Sequence, residues 1–150
     1  MTLVTATIDI DAPPERIYDT MLDPDCLHAW VTIHRRVNSA DGGALGEGYE
    51  MEQTLALRGA SFKVRWTLTE YDRPQRATWE GRGPAHSYAR TAYRLHPLDG
   101  GLATRFHYEN EFKAPGGFFG AAASRVLVGG MPQREANRSL AQLKALIEER

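Results

Sequence analysis

The sequence predicts an α+β fold: an antiparallel sheet with one long C-terminal helix lying across it. Three observations carry this. Near the N-terminus Val4, Ala6, Ile8 and Ile10 alternate with Thr5, Thr7, Asp9 and Asp11, the period of a strand with one buried face. Between residues 31 and 112 the chain reads as a series of extended segments separated by short turns rich in Gly, Asp and Pro. At the end, Ala136, Leu140, Leu143 and Ile147 recur at four, three and four residues, one face of an amphipathic helix.

Taken in order, the first strand runs into Asp11-Ala12-Pro13-Pro14-Glu15. Proline suits the first turn of a helix, and Glu15 suits the positive end of its dipole. Ile17, Tyr18, Met21 and Leu22 form the apolar face of that helix, which Asp23-Pro24 ends because the residue before proline is pushed out of helical geometry. A short second helix, 25–29, leads to Trp30. Six extended segments are then expected at 31–38, 46–57, 61–71, 76–81, 86–96 and 102–112. Their turns fall at Asp41-Gly42-Gly43, Arg58-Gly59-Ala60, Asp72-Arg73-Pro74, residues 81–84 and Asp99-Gly100-Gly101. In the last segment Leu102, Thr104, Phe106, Tyr108, Asn110 and Phe112 share one face. Short connections make neighbours antiparallel, and such a sheet buries one face under a cover. The terminal helix, expected over 133–149, is the element long enough to supply it.

Composition bounds the function. The 150 residues suit one domain spanning 1–150, large enough to bury a sizeable core. With 42% hydrophobic and 25% charged residues the chain reads as soluble and globular. A net charge of −1 provides no field to attract nucleic acid. Of its 18 basic residues only Lys63, Lys113 and Lys144 are lysines, and the arginines are scattered. Cys26 is the sole cysteine, which removes an internal disulfide and leaves little for a zinc site. The N-terminus lacks the basic-then-apolar layout of a signal peptide. No apolar run is long enough to span a bilayer. A cytoplasmic protein without integral membrane association is the expectation, with a homodimer left open.

Several stretches together resemble one superfamily. They are Ile10-Asp11-Ala12-Pro13-Pro14-Glu15-Arg16-Ile17-Tyr18, Asp23-Pro24 with Trp30 beyond it, Gly100-Gly101-Leu102-Ala103-Thr104-Arg105, and the helix from Leu140 to Ile147 that ends in charges. The chain resembles the START-like (SRPBCC) superfamily, and within it the polyketide cyclase/dehydrase group. That resemblance implies a helix-grip fold: a seven-stranded antiparallel sheet wrapped round the long helix, with a cavity between them. Members include lipid and sterol carriers, plant hormone receptors, aromatase/cyclases and co-chaperone-like activators. No universal catalytic motif comes with the family, so the site must be argued from this chain's residues.

Val64, Trp66, Leu68, Trp79, Tyr93, Phe106 and Tyr108 are expected to face the helix from the sheet, and Phe118, Phe119, Val126, Leu127 and Met131 to face back. Such a wall would hold an apolar or aromatic ligand, a lipid, polyketide or isoprenoid. The same residues would equally fill a solid core. Gln53, Ser87, Thr91, Thr104, Tyr108 and Asn110 share the inner parity. Each could orient a ligand or merely satisfy the backbone, and Tyr108 with Asn110 forms the best polar pair. The alternatives are a cyclase- or dehydratase-type enzyme, with Tyr108 or His86 moving a proton, and a co-chaperone-like interaction module. The five histidines show no metal-ligand spacing, and no cofactor is required. Phosphate- and dinucleotide-binding fingerprints and a nucleophile elbow are missing from the sequence. Glu50 and Glu52, with Lys63 and Arg65 on the next segment, read as charge pairs on the solvated face. Residues 116–132, rich in Gly and Ala and broken at Gly129-Gly130, are expected to gate the cavity together with the turn at Gly81-Arg82-Gly83.

Overall fold

A computed structural model of the chain describes residues 2–57, 60–113 and 131–149, the side chains of Met131 and Pro132 excepted. Strand β1 (Thr2–Ile10) is followed by α1 (Pro14–Leu22), a short 3-10 turn (Pro24–Cys26) and α2 (Leu27–Trp30). Six strands follow: β2 (His34–Ala40), β3 (Glu50–Leu57), β4 (Ala60–Asp72), β5 (Arg76–Arg82), β6 (Tyr88–Leu98) and β7 (Ala103–Lys113). Helix α3 (Met131–Glu148) comes last. The strands form one antiparallel seven-stranded sheet in the order β1-β7-β6-β5-β4-β3-β2. From β2 to β7 every neighbour in sequence is a neighbour in space, and β1 closes on β7.

Helix α3 turns Ala136, Leu140, Leu143 and Ile147 inward, each nearly inaccessible to solvent. Its polar edge is stitched to β1. Gln133 Nε2 donates to the Thr5 carbonyl at 2.8 Å, Lys144 Nζ to the Asp9 carbonyl at 2.8 Å, and the Asp11 N–H to Glu148 Oε2 at 2.8 Å. At the other side of the core, α1 buries Ile17, Tyr18, Met21 and Leu22. The Tyr18 hydroxyl reaches the Arg76 carbonyl at 2.8 Å, and burial raises its pKa far above the ordinary phenol value. Thr104, expected among the polar cavity residues, instead donates to the Ala12 carbonyl at 2.8 Å and ties β7 to the start of α1. On the solvated face Arg65 stands 3.8 Å from Glu50 and 3.7 Å from Glu52, an arrangement worth a few tenths of a kcal/mol, roughly, per exposed pair.

Three local expectations give way to turn geometry. Leu102, placed by its period on the inner face of β7, belongs to the preceding turn and is 73% exposed. Gly100 and Gly101 both take positive φ, and the Leu102 N–H closes on the Asp99 carbonyl, so the strand begins one residue later. The turn expected at 81–84 moves on to Pro84–His86, because Gly81 is a strand residue paired with Trp66. A Cβ at Gly81 would stand 2.7 Å from Trp66 Cε3 and Cζ3 and 2.7 Å from Val64 Cγ1. Glycine is required there by the indole that lies across it. Strand β2 begins at His34 rather than near Val31, its register with β3 interrupted twice.

Candidate functional site

Between the concave face of the sheet and α3 lies a cavity of about 560 Å³. Its wall is mainly apolar and drawn from nearly every element. Leu27 and Trp30 come from α2, Met51 and Leu55 from β3, Val64 and Trp66 from β4, and Trp79 and Gly81 from β5. Ala89 and Tyr93 of β6, Tyr108 and Phe112 of β7, and Ala136 and Leu140 of α3 complete it. All three tryptophans of the chain stand on this wall. The lining follows from strand parity: alternate residues of a strand face one side, so one concave face collects the inward members of five strands.

Of the residues picked from the sequence, Gln53, Val64, Trp66, Trp79, Tyr93, Tyr108 and Asn110 lie on the wall, with Ser87 and Thr91. Phe106 does not. It is fully buried beneath Tyr93, ring centroids 5.6 Å apart, and packs the layer behind the wall. His86 does not either: it is exposed in the Pro84–His86 turn with φ 62°, turned out by the same backbone conformation that ends β5. Of the two proton-transfer candidates, only Tyr108 therefore borders the cavity. Phe118, Phe119, Val126 and Leu127, and the proposed gate over 116–130, lie outside the described residues, as does the Met131 side chain.

Gln53, on the cavity wall, is held by two protein partners. The indole Nε1 of Trp66 donates to Gln53 Oε1 at 2.9 Å, and Gln53 Nε2 meets His34 Nδ1 at 2.8 Å. An indole N–H can only donate, so it fixes which end of the amide is oxygen. The amide N–H then faces His34 Nδ1, which must accept, placing the imidazole proton on Nε2. Protonated His34 would set two donors against each other. Burial, aided by His28, holds the His34 pKa below its ordinary value. Because the folded pKa is depressed, neutral His34 favours folding above about pH 6.5, and that contribution is lost as pH falls through the folded pKa. Urea midpoints measured from about pH 8 down to about pH 5 are expected to drop more in the wild type than in His34→Gln. Parallel curves for the two proteins would refute the relay.

A second polar group sits on the helix side. The Thr32 hydroxyl donates to Glu135 Oε2, the Thr32 N–H donates to Ser139 Oγ at 3.1 Å, and Arg138 Nη1 approaches Glu135 Oε1 at 3.3 Å. Glu135 and Ser139 border the cavity and were left out of the sequence reading. They flank the Ala136–Leu140 stripe one position to its side, at i and i+4, and the stripe alone marked the buried face. Trp30, Val31 and Ile33 also line the cavity from the link between α2 and β2, where no strand or helix period marks an inward face.

A seven-stranded antiparallel sheet gripping a C-terminal helix, with an apolar cavity between, defines a START-like protein of helix-grip fold. The chain belongs to the family described as polyketide cyclase / dehydrase and lipid transport, whose model matches residues 1–148. It is 26% identical over 146 residues to the uncharacterized protein Rv1546 of Mycobacterium tuberculosis, covering 97% of this chain and 99% of that one. It is 24% identical over 106 residues to toxin Rv0910 of the same organism, covering 71% of this chain and 74% of that one. Among solved structures, TTHA0849 from Thermus thermophilus superposes with TM-score 0.76 at 19% identity, covering 99% and 98% of the two chains. CV1439 from Chromobacterium violaceum does so with TM-score 0.71 at 20% identity, covering 99% of each. These structural likenesses establish the fold. Among the described residues no helix is long and apolar enough to cross a membrane.

Proposed function

We propose that this protein binds a small apolar or aromatic molecule, of the lipid, polyketide or isoprenoid class, in the cavity between the sheet and α3, and that it works in the cytoplasm. The observation that supports this most is the cavity itself, about 560 Å³ and lined chiefly by apolar and aromatic side chains. Ligand sites are typically concave, apolar and about 300–1,000 Å³, with a few placed polar groups. A helix-grip core built only for stability would close such a space, since each unfilled methyl-sized void costs on the order of 1 kcal/mol. Family membership supports the same reading.

Native mass spectrometry of protein purified without added ligand is expected to show a bound species that organic extraction releases as an apolar small molecule. Only the bare polypeptide mass, together with no uptake of apolar probes by the purified protein, would refute the proposal.

A further inference from the structure

The wall of β6 and β7 carries a cluster of hydrogen-bonding side chains that borders the cavity. Tyr93 stands directly opposite Tyr108, and one pleat along, Thr91 stands opposite Asn110. All four border the cavity. The Tyr93 and Tyr108 rings are 6.0 Å apart, tilted at 41°. The Thr91 hydroxyl donates to Asn110 Oδ1 at 3.1 Å, which occupies the amide oxygen and leaves the amide nitrogen to donate onward. Burial pushes the Tyr108 pKa up, and the neighbouring Asn110 side chain draws it partway back. Tyr108 keeps its O–H to give. Tyr93 is raised further by burial and the neighbouring phenol, so both rings stay protonated. The Tyr93 hydroxyl has no hydrogen-bond partner among the described residues; it meets Trp30, Phe106 and Tyr108 through its ring.

Trp30 points the same way. Its ring packs edge-on to Tyr93 at 6.4 Å, it borders the cavity, and its buried Nε1 has no hydrogen-bond partner among the described residues. An indole N–H can be satisfied only by an acceptor. Among the described residues the one carboxylate bordering the cavity, Glu135, is on α3 and already accepts from Thr32. Unmade hydrogen bonds in an apolar setting are costly, so a wall rich in donors selects for what arrives carrying an acceptor.

Resting on the binding function proposed above, the geometry points to a ligand class: an apolar or aromatic ring system bearing a carbonyl oxygen, as in a ketone, quinone or ester, held by the hydroxyls of Tyr93 and Tyr108 with Asn110 behind them. A bare hydrocarbon would leave these donors unmet. Thr91 and Asn110 orient the cluster and need not touch the ligand.

Matched probes test this. Fluorenone and fluorene share one scaffold and differ by the carbonyl oxygen, and tryptophan quenching reads binding because all three tryptophans border the cavity. Transfer from water alone disfavours the ketone, whose carbonyl must give up hydration. The wild type is nonetheless expected to bind fluorenone about tenfold more tightly than fluorene. In Tyr93→Phe/Tyr108→Phe, which keeps both rings, the preference for fluorenone over fluorene is expected to vanish. Equal or reversed affinities in the wild type would overturn the carbonyl assignment and leave the cavity's general binding role standing. Binding of neither probe, nor of any larger apolar or quinone probe, would overturn both.

Discussion

Leu143→Ala is expected to lower the free energy of unfolding by about 2–5 kcal/mol, the range for truncating a fully buried leucine. Leu143 is wholly inaccessible, midway along the stripe by which α3 is seated on the sheet. Truncation removes buried methyl groups and leaves a void that the rigid sheet on one side and the helix backbone on the other can only partly close. Urea unfolding followed by far-ultraviolet circular dichroism checks it. A loss under about 1 kcal/mol would mean that α3 is not held by this stripe.

Gly81→Ala is expected to cost about 1–3 kcal/mol and to disturb the cavity wall. The added methyl would overlap the Trp66 ring and Val64 at 2.7 Å. Neither neighbour can withdraw cheaply. The indole is tethered to Gln53 and backed by the sheet, and Val64 is a β-branched strand residue with few rotamers to choose from. Relief therefore requires breaking the Trp66–Gln53 bond or shifting β5 against β4. A blue- or red-shifted tryptophan emission should accompany the loss of stability. An unchanged urea midpoint with unchanged emission would show that Trp66 does not lie over Gly81.

Much of the fold was legible because it is written in two periods. Val4, Ala6 and Ile10 in β1 and Val64, Trp66 and Leu68 in β4 mark buried strand faces by alternation, and Ala136 to Ile147 marks the helix by its spacing. What the periods do not encode is where a strand stops. Leu102 keeps perfect phase with Thr104 and Phe106 yet sits in solvent, since two positive-φ glycines take it out of the sheet. Gly81 looked like punctuation and is a strand residue, because a glycine that breaks a chain and one that makes room for an indole are the same letter. The site was legible to the extent that parity decides which side of a sheet a residue faces. Depth is another matter: Phe106 and Tyr108 have the same parity, but only the second reaches the void. Nor does parity say which polar groups are already engaged. Gln53, Thr104 and Tyr108 looked alike, and hydrogen bonding separates the first two, held by protein partners, from the third.

The strand order has a consequence for how the chain is made. Of the seven strands β1 is made first, yet among the described residues it pairs with β7 alone, and the helix that bonds its backbone at Thr5 and Asp9 comes later still. The strands β2 to β7 can pair in turn as each emerges, every one beside its predecessor. The opening strand cannot. Its hydrogen-bonding edge and apolar face stay unpaired until β7 has been made, the condition in which nascent chains find one another. Thr5, Thr7 and Asp9, alternating along that segment, give it one polar face in the meantime.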